Sequence, residues 1–410
     1  MNNKSIKKYR LNSIELLIIC STIILPYTLL RFGIMGFGEL FFLLLFLYIL
    51  LKPINKKWLY LYHFSRFWVI YLFVSIIGFS YNFIVLNHAT GTIKGMLFDF
   101  GAFMLVLMTC FSLESLINKK RISIYALLRA IFLMNSVTMT ILYIISLFTD
   151  NIFGLPLKYY HYFAPLADNL HQISMFLVPL PFIGLKVVAV EKSKCLRILA
   201  FILILIDAYL AIRTGSTKAY LSLYLGTFFF MILFLYNKFQ GRERILFIML
   251  FLIVIISGSG YFFENIYSYT TEFFLGHDIG SGRKILYTDG LEIGFTSPLI
   301  GLGTGPHIWL DGKFWDVHQS FVAAFLHAGV IGVLLLSSLF YKSLKRNLKE
   351  PAIFAAISTI FLYALGGDIL RRLPMWVFMV LLFYYNKKDE LIFRTFPQPK
   401  FRFMSRGYGR

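Results

Sequence analysis

The sequence predicts an all-α polytopic membrane protein of about twelve transmembrane helices, with both termini cytoplasmic and one large external loop. Three observations carry that expectation. The 410 residues are 58% apolar and 18% aromatic with only 15% charged, at a mean hydropathy of +0.73. The chain holds 40 Lys+Arg against 20 Asp+Glu, a net charge of +20. So low a charged fraction amid so much Phe, Leu and Ile excludes a nucleic-acid-binding domain, and the apolar fraction excludes disorder. Finally, the basic residues recur in alternate connections between apolar runs, the pattern that cytoplasmic loops impose.

A membrane helix needs about 20 mostly apolar residues. That window places spans near 13–34, 37–52, 66–86, 96–117, 122–148, 170–190, 196–212, 217–237, 244–262, 319–341, 352–367 and 372–386. The basic start, with Lys4, Lys7, Lys8 and Arg10, leads into an apolar run that a second one follows closely, so the first span is read as retained and not cleaved. Clusters at Lys52/Lys56/Lys57, Lys119/Lys120/Arg121, Lys192/Lys194/Arg197, Lys238/Arg242/Arg244 and Lys342/Lys345/Arg346/Lys349 mark one side as cytoplasmic, and the tail 387–410 matches them. The chain then divides into spans one to nine over 1–262, an external loop over 263–318, spans ten to twelve over 319–386, and the basic tail. The loop is too rich in Phe, Tyr, Trp and Ile to be disordered, and an amphipathic helix is expected around Lys284–Ile293. Cys20, Cys110 and Cys195 suggest no disulfide framework.

The informative residues are cations that fall on the outer side against the orientation rule. Arg213 and Lys218 flank a Thr-Gly-Ser-Thr turn between two apolar spans, where a cation is costly unless it meets an anion. An ion pair between Arg213 and Asp207 is the alternative. Arg283 lies near the start of the amphipathic helix, and its planar guanidinium suits bidentate phosphate contact. The glycines of Gly301-Leu-Gly-Thr-Gly305 lack the strand context of a nucleotide fingerprint and read as a re-entrant turn. His318, beside Trp315 and Asp316, suits a general base oriented by a carboxylate, or else an interfacial histidine bonded to backbone. His327, deeper in the same span, reads as structural. Arg371 and Arg372 share a short outer turn and invite either an anionic ligand or partners such as Asp368 and Glu292.

In order, these segments resemble the O-antigen polymerase and O-antigen ligase superfamily, membrane glycosyltransferases acting on undecaprenyl-diphosphate-linked glycans. The resemblance lies over roughly 160–335: Ala167-Asp-Asn-Leu-His-Gln172, Ser216-Thr-Lys-Ala-Tyr220, Gly282-Arg283 through Pro298-Leu-Ile-Gly-Leu-Gly303, and His318-Gln319 followed by Gly329 and Gly332. Lys218 stands where the family commonly has Arg, and Gln319 where it has Asn. The resemblance implies a membrane glycosyltransferase (GT-C-like) fold, no cofactor and no metal. It implies a donor diphosphate held by Arg283 and by Lys218 or Arg213, with Arg371 and Arg372 in support and Asn169 and Gln319 on the substrate side. His318 would take the proton from the acceptor hydroxyl. The outer acids Asp278, Asp289, Asp311 and Asp316 form no tight pair in the sequence.

The implied activity is polymerisation of lipid-linked repeat units into a surface polysaccharide, O-antigen or capsule, at the outer face of the bacterial inner membrane. Implied partners are the lipid-linked donor and acceptor, membrane lipid, a chain-length regulator and a flippase, and no nucleic acid. A ligase moving the glycan onto lipid A core or protein is the near alternative. A flippase or transporter is the alternative of another class, although the charges within spans are few (Asp99, Arg129, Asp207).

Overall fold

A computed structural model describes residues 11–32, 35–51, 61–86, 93–241, 282–310 and 312–385, with isolated positions between 243 and 249; of residues 32, 93, 94 and 282–284 only the backbone is described. The span expected at 244–262, most of the loop up to 281 and the basic tail lie outside these residues. What is described is mostly helical, with short two-stranded hairpins in the turns.

The helices are α1 Ser13–Ile24, α2 Phe37–Leu51, α3 His63–Tyr81 with a π turn at Asn82–Leu86, α4 Ile93–Asn118, α5 Ile124–Ser146, α6 Leu170–Leu177, α7 Leu180–Val190, α8 Lys194–Arg213, α9 Thr217–Lys238, α10 Gly282–Gly294, α11 Ser320–Arg346, α12 Pro351–Gly366 and α13 Leu373–Tyr384. By length and composition, seven helical stretches can cross a membrane, α6 and α7 counting as one, and four shorter apolar helices accompany them. The run 13–34 is not one helix: Pro26 cannot continue the hydrogen-bond ladder, and the chain turns into the hairpin β1 Arg31–Phe32 with β2 Met35–Gly36. The run 170–190 breaks at Val178-Pro179 for the same reason. Two further hairpins, β3 Asn151–Ile152 with β4 Leu155–Pro156 and β5 Lys158–Tyr159 with β6 Tyr162–Phe163, fill the turn before α6. A fourth, β7 Ile308–Leu310 with β8 Lys313–Trp315, precedes α11.

The core centres on α13, buried on all sides as its uniformly apolar sequence allows. Trp376 stacks on Phe67 with centroids 5.5 Å apart and meets Trp68 edge-on at 4.7 Å. Glu114, Arg129 and Lys186 are partnered, while Asp207 keeps one buried oxygen unbonded. Glu114 of α4 caps α3, accepting from the Phe64 and Ser65 amides, each at 2.9 Å, and from the Ser65 and Tyr384 hydroxyls. Arg129 pairs with Glu191 at 2.8 Å, and Lys186 with Glu350 at 2.7 Å. Asp207 accepts from Ser136 at 2.5 Å rather than meeting Arg213.

The longest span is broken where it approaches the site. Ala328 and Gly329 leave helical geometry, with Gly329 at φ 61°, ψ −158°, a conformation open essentially to glycine. Segment 298–303 supplies the backbone partners that the break removes. The Leu302 amide donates to Leu326 O at 2.7 Å, Gly303 to His327 O at 3.2 Å, and Val330 to Pro298 O at 2.8 Å. A Cβ on Gly329 would lie 2.3 Å from the Leu299 carbonyl, and one on Gly78 of α3 would lie 2.6 Å from Ile300 O. The glycine-rich segment is therefore a buried splint between α3 and the broken α11, in keeping with the demand that backbone groups at membrane depth be satisfied internally.

Candidate functional site

Among the described residues, turns from distant parts of the chain meet: Arg31 lies 3.8 Å from Asp168, His171 meets Ser216, and Arg371 meets Asp99 and Asp316. Ser320, the first residue of α11, holds the turn before α13: its hydroxyl donates to Gly367 O at 2.7 Å and accepts from the Ile369 amide at 2.9 Å. That sets His318 within reach of the charges of Asp368 and Arg371. The N-terminal turns of α6 and α9 close on the same place. His171 Nδ1 lies 3.2 Å from the Ser216 hydroxyl and 3.5 Å from that of Tyr363, which in turn is 2.8 Å from the Ser174 hydroxyl.

The two adjacent arginines have opposite surroundings. Arg371 is enclosed by carboxylates, with Nη1 2.6 Å from Asp99, Nη2 3.0 Å from Asp316 and Nε 3.5 Å from Asp368. Burial acts to lower its pKa, but the three anions override this and raise it. The partner Asp368 was foreseeable in the sequence, whereas Asp99, distant by 272 positions, was not. These acids do converge, but on a guanidinium; among the described residues no group of acids, histidines and cysteines is arranged to hold a metal ion.

Arg372 has no carboxylate partner among its hydrogen bonds. Its terminal nitrogens donate to the Gln172 side-chain oxygen, one of them at 3.1 Å, with the amide oriented by those bonds. Its Nε is buried without a hydrogen-bond partner. Burial, followed by the neighbouring Arg371 cation, lowers its pKa, while Asp368 acts against them. Such a guanidinium is short of counter-charge.

His318 is exposed and hydrogen-bonds to none of the described residues. Desolvation lowers its pKa below the ordinary value; Asp368 and Asp316 raise it, while Lys218 and Arg371 lower it again. The imidazole is consequently neutral at pH 7 and able to accept a proton. Asp316, which the sequence suggested as its orienting carboxylate, is ion-paired to Arg371.

The other sequence candidates fall differently. Lys218 is buried in the first turn of α9, its charge felt at His318. Arg213 is exposed at the end of α8, beside Tyr143. Arg283 lies in the first turn of α10, and its side chain is outside the described residues. Asn169 and Gln319 are helix N-caps: Asn169 accepts from the His171 amide at 2.8 Å, and Gln319 from the Val322 amide at 2.5 Å. His327 is buried with Nδ1 3.3 Å from the Tyr71 hydroxyl. Sequence reasoning passed over His171, Gln172 and Tyr363 as site residues; the first two sit inside a quoted motif, while Tyr363 is an ordinary aromatic in an apolar run.

The assembled end sets Arg372 against the neutral Gln172 and brings Lys218 and Arg371 within electrostatic reach of the neutral base His318. Comparison with known proteins finds no family model and no curated protein that matches this chain.

Proposed function

We propose that this chain is a membrane glycosyltransferase that moves a glycan from a polyprenyl-diphosphate carrier onto an acceptor sugar hydroxyl, polymerising lipid-linked repeat units of a bacterial surface polysaccharide. The observation that carries the proposal is that Arg372, which bonds no carboxylate among the described residues, buried Lys218 and His318, which bonds none of the described residues, come from three segments far apart in sequence to the surroundings of Asp368 and Arg371. In this reading His318 accepts the proton of the attacking hydroxyl as the new glycosidic bond forms at the anomeric carbon. The bond from that carbon to the diphosphate oxygen breaks, and the lipid diphosphate leaves with the electron pair. Arg372 and Lys218 offset the charge growing on it. Arg371, already ringed by carboxylates, holds the site together.

The proposed topology is twelve spans, both termini cytoplasmic, with the site on the outer face of the inner membrane and a GT-C-like fold. Supporting it, the seven span-length and four shorter apolar helices coincide with eleven of the twelve expected spans. Pairing of Arg129 with Glu191 and of Lys186 with Glu350 favours an enzyme over a transporter with a charged central path.

The test is transfer by purified protein supplied only with lipid-linked repeat units. Extension into a ladder without any nucleotide sugar is expected, and His318→Ala should abolish it. Full activity in that variant would refute the role of His318. Loss of the gene should leave single repeat units on the surface; loss of all surface glycan would identify a ligase instead.

A further inference from the structure

Arg371 and Arg372 stand side by side before α13, yet among the described residues only the first bonds carboxylates. Arg371 takes Asp99, Asp316 and Asp368. Asp368 gives its other oxygen to the Leu370 amide at 2.9 Å. Asp168, four residues before Gln172, lies against Arg31 at 3.8 Å, with its amide held by the Thr28 hydroxyl at 3.0 Å. What Arg372 receives is a neutral amide. Both terminal nitrogens donate to the Gln172 side-chain oxygen, and Nε is buried without a partner. The charges of Arg371 and Arg31 act against the Arg372 cation, and Asp368 is the carboxylate acting for it.

We propose that Gln172 is a positioning residue of the donor site, an assignment that rests on the glycan-transfer reading: it fixes the Arg372 guanidinium without neutralising it, and the donor diphosphate supplies the missing negative charge. An amide oxygen accepts hydrogen bonds as a carboxylate oxygen does, but brings no net charge. Gln172 engages two of the five N–H groups of the guanidinium and leaves three. A planar guanidinium with donors to spare suits a phosphate group, which accepts two parallel bonds. A carboxylate in place of the amide would close the site as an ion pair, the arrangement the chain uses at Arg371. Buried charge without a counter-ion is costly, so an anion that reaches Arg372 gains what the fold withholds.

Both partners are held before any ligand arrives. The Arg372 amide donates to Ile369 O at 2.9 Å, and its carbonyl accepts from the Met375 amide at 3.0 Å. Gln172 sits in the first turn of α6, where its amide donates to Asn169 O at 3.2 Å. The preceding residue ties that turn to two other helices. His171 Nδ1 lies 3.2 Å from the hydroxyl of Ser216, the N-cap of α9, and the Tyr363 hydroxyl of α12 donates to His171 O at 3.2 Å. A receptor fixed in advance loses less freedom on binding.

The experiment titrates the full chain, in nanodiscs of zwitterionic lipid, with inorganic diphosphate by calorimetry, and reads donor KM in parallel with native lipid-linked repeat units. Gln172→Glu gives Arg372 a carboxylate. It should weaken diphosphate binding and raise donor KM about tenfold or more, the size of a charge-assisted hydrogen bond, without lowering the unfolding midpoint. Unchanged binding in that variant overturns the proposal. If Gln172→Glu does not fold, Gln172→Met decides, since it keeps the length and removes the acceptor: raised donor KM at unaltered kcat sustains the positioning role, and an unaltered KM overturns it. Polyprenyl diphosphate placed in the disc should suppress the binding of inorganic diphosphate, and phosphatidylglycerol should not. Equal suppression by both would make this a general headgroup contact and overturn the diphosphate assignment. The two readings fail separately. Diphosphate binding that depends on Gln172, without glycan transfer, would sink the transfer reading alone. Transfer with an unaltered donor KM in Gln172→Glu would sink the role of Gln172 alone.

Discussion

Arg371→Gln and Arg372→Gln should have opposite consequences despite being neighbours. Arg371 faces three carboxylates at 2.6, 3.0 and 3.5 Å, with side-chain exposures of 2% for Asp99, 26% for Asp316 and 8% for Asp368. Two unit charges at such range interact by about 4 kcal/mol where the effective dielectric constant is about 20. Deleting one partner of a buried pair costs about 3–5 kcal/mol, because the stranded charge keeps its desolvation penalty. Asp316 is the most hydrated of the three and contributes least, so Arg371→Gln should destabilise the protein by about 3 kcal/mol. Adding Asp99→Asn in that background should recover part of the loss, since the most buried stranded anion is then removed. Among the described residues Arg372 bonds a neutral amide and leaves its Nε unsatisfied. Its replacement should change stability by under about 1 kcal/mol while weakening binding of the diphosphate-linked donor. The assay is reversible unfolding in mixed micelles for stability, paired with donor KM for function. Equal destabilisation by both variants, or an unchanged donor KM in Arg372→Gln, would refute the division of labour between them.

The remaining predictions concern the base and the broken helix. Desolvation places the His318 pKa below the ordinary 6.5; since the neutral imidazole is the active form, kcat/KM should hold steady through neutral pH and fall only on the acid side of 6.5. An acid limb above that value would contradict the assignment. Gly329→Ala forces a side chain into positive φ and against the Leu299 carbonyl at 2.3 Å. A loss of about 3 kcal/mol or more is expected from strain and overlap together, read as a lower unfolding midpoint and poor accumulation in the membrane.

Much of the helical layout was legible because its causes are local. Apolar run length predicted nearly every described long helix, but the spans read as continuous over 13–34, 170–190 and 319–341 are interrupted near Pro26, Pro179 and Gly329, because hydropathy sums over a window and does not register a single backbone break. Caps were less legible. Asn169 and Gln319 stood out as polar residues at span starts and were read toward substrate, yet their oxygens are bonded to the amides of the helices they open. A polar residue at that position has both uses, and only the direction of its oxygen separates them.

By itself the sequence determined that this chain has several helices long and apolar enough to cross a membrane, and roughly where they run. Hydropathy and charge placement act through solvent and so need no partner. Tertiary structure alone decided what each of the site's cations does. Arg371 and Arg372 have identical chemistry and adjacent positions, but a residue on α4 supplies Asp99 to one, and a residue on α6 supplies neutral Gln172 to the other. An electrostatic role is fixed by what lies within about 4 Å, and at that distance the neighbours come from segments that the sequence keeps far apart.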